Sequence, residues 1–148
     1  MTDFKRSAKA EWTGDVQKGS GEIALQSGAF RGPYSFQSRL GEMKATNPEE
    51  LIAGAHAGCY AMALSSALGK AGKQPESIAA RSEVVISKND SRIEISAIEL
   101  SVEAVVPGID QATFERIAEE AAMNCPVSKA LSAVKITHRA TLRQTAST

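Results

Sequence analysis

The sequence predicts an α+β fold, because its strand-like and helix-like segments are grouped along the chain instead of alternating regularly. The first third alternates apolar and polar residues, the middle holds one long uncharged helix, and a long hairpin and further helices follow. The 148 residues are 43% hydrophobic and 23% charged, which is ordinary for a globular domain with one core. We therefore expect a single domain over residues 1–148.

The charge balance excludes two classes of partner. Lys and Arg number 17 and Asp and Glu number 17, so the formal net charge is zero. Nucleic acids and anionic membranes attract clustered positive charge, and we expect neither as a partner. We find no run of about 18 apolar residues and expect no membrane-spanning helix. The N-terminal residues lack the apolar segment of a secretory signal, which favours a cytoplasmic location.

The N-terminal third is expected to form short strands. Alternation around Trp12 predicts one strand, and the run 22–27 predicts a second after a glycine-rich bend. Another turn with a Gly-Pro pair follows, and Tyr34 and Phe36 then open a short third strand. A hairpin or meander is the expected arrangement.

A helix is expected from Pro48 to Lys70. Asn47 is a good N-cap, Pro48 suits the first helical position, and Glu50 stands where a capping box needs it. Gly72 is the expected C-cap. These signals fix both ends of the helix.

The interior of this helix is unusual, because residues 53–59 are nearly all small and no charged residue occurs from Leu51 to Leu68. Each helical glycine costs about 1 kcal/mol relative to alanine, and close approach of a neighbouring element is the expected compensation. A helix without charges is typically buried nearly all round. A chain of this size has little material to bury it, so we expect a partner subunit.

The second half is expected to contain a long hairpin around residues 88–91, with a β-bulge near Ala97. Asp110 is the expected cap of a helix that ends near Met123. A short helix then begins at Pro126 with Cys125 as its N-cap. A last strand covers residues 134–140, and residues 144–148 are expected to fray.

Two cysteines, Cys59 and Cys125, are the main candidates for chemistry. Their number excludes a disulfide-rich scaffold and any Cys-x-x-Cys motif. Both could simply be buried packing residues. At a helix N-terminus the Cys125 sulfur would face free backbone N–H groups, which favour the thiolate. Local electrostatics alone would therefore make Cys125 the nucleophile.

Glu49 has no strong structural explanation, because only a helix-dipole term of about 0.3–1 kcal/mol favours it. Ten residues of straight helix separate Glu49 from Cys59 by about 15 Å. A carboxylate that serves Cys59 would therefore come from another chain. His56 precedes Cys59 by one helical turn, so a Cys–His pair or a metal site can be imagined, but we find no third ligand and favour a packed, hydrogen-bonded histidine.

Several segments together resemble the OsmC/Ohr family of thiol peroxidases. They are Thr46-Asn47-Pro48-Glu49-Glu50-Leu51, Ala55-His56-Ala57-Gly58-Cys59, Asn124-Cys125-Pro126-Val127-Ser128, Ala10-Glu11-Trp12-Thr13-Gly14 and Val106-Pro107-Gly108-Ile109-Asp110. The similarity covers nearly the whole chain. The N-terminal pattern and the position of His56 are more similar to the OsmC branch than to the Ohr branch.

The resemblance implies an OsmC-like fold: an intertwined homodimer whose central helices pack against antiparallel β-sheets, with active sites at the subunit interface. It implies a peroxidatic thiolate at Cys59 and a resolving thiol at Cys125, which reverses the assignment from local electrostatics. The family activates its thiolate with an arginine and a glutamate. Glu49 matches the glutamate, and Arg39, in Ser38-Arg39-Leu40-Gly41, best matches the arginine.

The implied activity is reduction of organic hydroperoxides to alcohols through a Cys59 sulfenic acid and a Cys59–Cys125 disulfide, with hydrogen peroxide reduced less well. A small-molecule or protein dithiol would reduce the disulfide, and no metal or other cofactor is expected. Three other readings stay open at this point. They are a non-enzymatic redox sensor that uses the same cysteine pair, a hydrophobic-ligand carrier that needs neither thiol, and a Cys–His hydrolase.

Overall fold

The computed structural model describes residues 1–143, and the expected frayed segment 144–148 lies outside them. It has the α+β architecture predicted from the sequence. The chain divides into two compact units, one ending at Leu51 and the other beginning at Ile52. Each unit contains one three-stranded sheet.

The first unit contains an antiparallel sheet in the order β1-β2-β3, made of Ala8–Thr13, Ser20–Leu25 and Arg31–Tyr34. The expected third strand therefore ends before Phe36, which instead begins a short helix, α1, over Phe36–Leu40. The sequence pattern did not predict this helix.

A capping box explains why the chain turns into α1. The Ser35 hydroxyl accepts a hydrogen bond from the Ser38 N–H at 3.2 Å, and the Ser38 hydroxyl accepts one from the Ser35 N–H at 2.8 Å. Two serines satisfy the same pair of donors that a Ser–Glu box satisfies. The apolar alternation continues through Tyr34 to Phe36 and predicts a strand there, which hides the Ser35–Ser38 capping box.

Helix α2 covers Pro48–Lys70, with the bounds predicted. The Asn47 side chain accepts from the Glu50 N–H at 2.8 Å, which confirms Asn47 as the cap. The Glu50 carboxylate accepts a hydrogen bond from the Thr46 hydroxyl at 3.3 Å.

The second unit contains the sheet β4-β5-β6, made of Ser77–Lys88, Ile93–Val105 and Lys135–Arg143. Strands β4 and β5 form the predicted hairpin, and their register shifts where Val85 pairs with Ala97 and Ile86 with Ile95, which confirms the bulge. Strand β6 departs from the expected antiparallel arrangement, because it runs parallel to β5. Two helices separate β5 from β6, and such a crossover allows parallel pairing.

Those helices are α3, Gln111–Asn124, and α4, Pro126–Ala130. The Asp110 carboxylate accepts from the Thr113 N–H at 2.7 Å, as its predicted cap role requires. The core of the second unit joins α2, β5 and α3 through buried apolar side chains, each worth about 1.5–3 kcal/mol on full burial. They include Tyr60, Leu64, Leu68, Leu100, Val102 and Phe114.

Only one side of α2 is buried in the single chain. Its buried residues recur every fourth position, at His56, Tyr60, Leu64 and Leu68. The other side, which includes Met62 at 76% exposure, is open. One chain therefore does not bury the helix nearly all round, and the expected burial by a partner subunit stays a prediction.

Length and composition alone would allow α2 to cross a membrane, which corrects the expectation that no segment of the sequence could do so. Its buried side nevertheless makes the contacts of a core helix. His56 bonds to Ser82 on β4 at 3.2 Å, and Tyr60 bonds to His138 on β6 at 2.6 Å. Because these polar contacts tie α2 to a sheet, we regard it as the core helix of a folded unit.

Candidate active site

Arg39 and Glu49 form a bidentate ion pair within the first unit. Arg39 lies on α1, and Glu49 lies in the first turn of α2. The Arg39 Nη2 is 2.6 Å from the Glu49 Oε1, and the Nε is 2.9 Å from Oε1 and 3.1 Å from Oε2. The Glu49 side chain is 4% exposed and that of Arg39 is 36% exposed. These bonds do not involve Nη1.

Further hydrogen bonds hold α1 against the loop before α2. The Ser38 hydroxyl donates to the Thr46 carbonyl at 2.8 Å, and the Asn47 side-chain amide donates to the Ser38 carbonyl at 3.1 Å. Ser38 and Thr46 are both buried. The orientation of Arg39 is therefore fixed by its backbone as well as by its carboxylate partner.

An aromatic cavity of about 270 Å³ opens beside Arg39 in the first unit. The rings of Trp12 and Tyr34 lie 5.4 Å apart, tilted by 58°. Phe36 and Val16 add further apolar surface. The cavity combines one cationic group with an apolar wall, which is typical of small-molecule sites.

Cys59 and Cys125 are neighbours in the second unit. Cys59 lies on α2 and is partly buried, whereas Cys125 is fully buried at the N-cap of α4. Both are free thiols, and their side chains lie close enough for each to shift the pKa of the other. The structure thus brings together the two cysteines that the sequence separates.

The two thiols differ in acidity within the single chain. Burial raises the pKa of Cys59, the Val127 N–H opposes this, and Cys125 raises it further. Burial also acts to raise the pKa of Cys125, but the N–H of Ser128, the Cys59 thiol and the Ser128 hydroxyl outweigh it, so that pKa is lowered. The Cys125 sulfur makes no regular capping hydrogen bond, yet it experiences the helix N-terminus as expected.

His56 is the packed, hydrogen-bonded histidine that we favoured. Its Nε2 lies 2.7 Å from the Ser128 hydroxyl and its Nδ1 lies 3.2 Å from the Ser82 hydroxyl. With both ring nitrogens bonded to serines, His56 is not placed to act as the base of a Cys–His hydrolase. Burial lowers the pKa of His56, which keeps the imidazole neutral.

Ser82 and Ser128 had no role in the sequence analysis. The spacing of Cys125 and Ser128, from N-cap to N3 of α4, is a local signal that could have identified Ser128. Ser82 lies on β4, and only the tertiary fold brings it to His56. Among residues 1–143, no group of three or more His, Cys, Asp and Glu side chains is arranged to hold a metal ion.

The fold and the site define a two-cysteine α+β protein that also carries an arginine–glutamate pair. The family model described as OsmC-like protein matches residues 41–139. Peroxiredoxin OsmC of Escherichia coli is 45% identical over 134 residues, which are 90% of this chain and 93% of that protein. The chain belongs to the OsmC family.

Solved structures support the fold assignment. An organic hydroperoxide resistance protein OsmC from Legionella pneumophila aligns over 96% of this chain and 98% of its own, with a TM-score of 0.71 and 22% identity. The organic hydroperoxide resistance protein OhrB of Bacillus subtilis aligns over 93% of this chain and 98% of its own, with a TM-score of 0.65 and 20% identity. At such identities the similarity establishes the fold.

Proposed function

We propose that the chain is a thiol-dependent peroxidase that reduces organic hydroperoxides to alcohols, and hydrogen peroxide less well. The observation that carries this proposal is the contact between two free thiols, one partly exposed and one buried. The 45% identity to a protein named Peroxiredoxin OsmC supports it. A redox sensor would use the same pair of thiols, but neither the redox-sensor nor the ligand-carrier hypothesis has the support of this identity.

The proposed chemistry uses both sulfurs in turn. The Cys59 thiolate attacks the terminal oxygen of the hydroperoxide, the O–O bond breaks, and the alkoxide takes up a proton and leaves as an alcohol. The Cys59 sulfenic acid then reacts with Cys125, so that an S–S bond forms, the S–O bond breaks and water leaves. A small-molecule or protein dithiol then reduces the disulfide by exchange and is itself oxidised.

Accessibility favours Cys59 as the peroxidatic residue, although Cys125 is the more acidic thiol in the single chain. Cys125 is 0% exposed, so a hydroperoxide cannot reach it without displacing the core. Cys59 is only partly buried. A cation next to Cys59 would move the negative charge of the pair to the sulfur that substrate can reach.

We assign that cation to Arg39 and its orientation to Glu49. The bidentate bonds use Nε and Nη2 of Arg39 and do not involve Nη1, which would face the thiolate and the departing alkoxide. Because ten helical residues span about 15 Å, Glu49 would serve the Cys59 of a second subunit. Each active site of this proposal therefore combines residues of two chains.

A homodimer also accounts for the open side of α2. A Cβ atom added at Gly54 or Gly58 would meet no atom of residues 1–143 within 4 Å, so nothing in this part of a single chain explains these glycines. Together with the exposed Met62 they form an uncharged surface. Packing of two α2 helices across this surface would bury it and supply the close approach that helical glycines allow.

The aromatic cavity beside Arg39 is the proposed site for the alkyl group of the substrate. Apolar surface gains about 25 cal/mol for each Å² removed from water, which favours alkyl hydroperoxides over hydrogen peroxide. We further propose that residues 1–148 act as one OsmC-like domain, because the family match crosses the boundary between the two units. We place the protein in the cytoplasm, where free thiols persist.

The decisive experiment measures peroxide consumption with a dithiol reductant for the wild type and for Cys59→Ser and Cys125→Ser. We expect no turnover without Cys59, and a single turnover followed by over-oxidation without Cys125. Intact mass after one equivalent of hydroperoxide should show the loss of two hydrogens in the wild type. Activity in both variants would refute the thiol mechanism, and stoichiometric consumption by the wild type would favour a sensor.

A further inference from the structure

A chain of hydrogen bonds leads away from the buried thiol. It runs from Ser128 on α4 through His56 on α2 to Ser82 on β4, with distances of 2.7 Å and 3.2 Å. His56 is 0% exposed and Ser128 is 6% exposed, whereas Ser82 is only partly buried. This chain of hydrogen bonds therefore leads from the core toward the surface.

Ser128 brings this chain to Cys125. Cys125 is the N-cap of α4 and Ser128 is its N3 residue, the position whose side chain folds back toward the cap. The Ser128 hydroxyl lies near the Cys125 side chain and acts to lower its pKa. The same hydroxyl is held on its other side by His56.

A neutral imidazole donates from one ring nitrogen and accepts at the other, so the donors and acceptors along this chain of hydrogen bonds can be ordered in two directions. In one, the Ser82 hydroxyl donates to Nδ1, the Nε2–H donates to the Ser128 oxygen, and the Ser128 hydroxyl donates to a Cys125 thiolate. In the other, every bond is reversed and Cys125 is a thiol. A change of direction thus accompanies ionisation of Cys125.

We propose that His56 is a positioning residue of the resolving step, which turns the Ser128 hydroxyl toward Cys125 and provides an exit for its proton. When every hydrogen bond in this series reverses its direction, one proton leaves the Cys125 sulfur and one proton passes from Ser82 to water. The thiolate then forms the S–S bond with the Cys59 sulfenic acid, and the leaving hydroxide takes up a proton to become water. The resolving reaction that His56 would assist rests on the proposed function, but the observed hydrogen bonds of His56 do not.

Other titratable groups lie near this chain. Cys59 on α2 lies beside Cys125 and contributes to the lowering of its pKa. Tyr60 on α2 and His138 on β6 are bonded to each other at 2.6 Å. Lys129 on α4 is exposed. Tyr60 and His138 provide a control, because they form a second histidine–hydroxyl pair in the same unit, with His138 partly buried.

The experiment is carried out on Cys59→Ser protein, in which Cys125 is the remaining thiol, and follows thiolate ultraviolet absorbance against pH. We expect His56→Leu to raise the Cys125 pKa by about one unit, a tenfold loss of thiolate at fixed pH. Ser128→Ala should give a similar shift, and the two changes together should add little. His56→Gln, which keeps an N–H donor, should restore most of the effect.

His138→Gln in the same background should leave the Cys125 pKa unchanged. An equal shift in that control, or fully additive shifts from His56→Leu and Ser128→Ala, would overturn the proposal. If His56→Leu fails to fold, the Ser128→Ala and His56→Gln variants test the proposal. An unshifted Cys125 pKa in Ser128→Ala would then refute the proposal. The measurement needs no peroxidase activity, so its outcome is separate from that of the proposed function.

Discussion

The Glu49 carboxylate lies 2.6 Å from the Arg39 Nη2 and is almost completely buried, while the guanidinium stays partly exposed. An exposed ion pair contributes little, but this one has one desolvated partner and bidentate geometry. Two further hydrogen bonds hold α1, which carries Arg39, to the loop before α2. The arrangement therefore points a cation in a fixed direction.

We predict that Glu49→Gln slows oxidation of Cys59 by hydroperoxide. The amide keeps the shape of the side chain but loses the charge-assisted bonds, worth about 1.5–3 kcal/mol, so the second-order rate constant should fall roughly 10- to 100-fold. Glu22→Gln is the matched control, because Glu22 pairs with Arg31 at 2.6 Å on the exposed sheet. Stopped-flow measurement of both variants tests the prediction, and equal rates in Glu49→Gln and wild type would contradict the activating role.

We predict that Trp12→Ala selectively weakens the reaction with bulky alkyl hydroperoxides. Trp12 supplies part of the cavity wall beside Arg39, and loss of about 1 kcal/mol of apolar contact should lower that rate constant about fivefold. The rate with hydrogen peroxide should stay nearly unchanged. Phe4→Ala removes an exposed aromatic side chain outside the cavity lining and should affect neither substrate. Equal losses with both peroxides would argue against the cavity as the alkyl site.

We predict that Gly58→Leu prevents dimer formation without unfolding the chain. The added side chain has free space in the single chain, but it would block close packing of two α2 helices. Sedimentation analysis should therefore show a monomer, and peroxide turnover should fall because Arg39 would no longer reach Cys59. Glu120→Leu places the same residue on the exposed face of α3 and should remain dimeric. A dimeric, active Gly58→Leu protein would show that the interface lies elsewhere.

The sequence predicts features that depend on neighbouring residues better than it predicts contacts between distant segments. Both ends of α2 were predictable, because Asn47 and Gly72 are cap signals that act within a few residues. The contact of Cys59 with Cys125 was inferred only through a family resemblance, since packing of α4 against α2 depends on the whole second unit. The bonds of His56 to Ser82 and Ser128 likewise join three distant segments, and no local pattern predicts them.

Helix α1 was missed for a different reason. The apolar pair Tyr34 and Phe36 continues the strand alternation, and five helical residues give no periodic pattern of their own. Its Ser35–Ser38 capping box was visible in the sequence but is a weak signal without glutamate. The parallel pairing of β6 was missed because strand direction depends on the crossover and not on residue pattern.

One buried histidine and one partly buried histidine make stability depend on pH. Burial lowers the pKa of both His56 and His138 below the ordinary value of 6.5, although Glu119 partly opposes this for His138. Below pH 6.5 the unfolded chain therefore binds protons that the folded chain does not, and stability falls as pH falls. Asp110 also has a lowered pKa, but it acts only around and below its ordinary value of 3.8.

We predict that the free energy of unfolding is nearly constant just above pH 7 and decreases toward about pH 5.5, by up to about 1.4 kcal/mol per pH unit for each histidine, and that the denaturant midpoint decreases with it. His138→Gln should lower overall stability, because it disturbs the 2.6 Å bond to Tyr60, and should also reduce the slope. Urea titrations at several pH values measure both quantities. A midpoint that rises as the solution is acidified, or an unchanged slope in His138→Gln, would show that these imidazoles are not the groups that titrate.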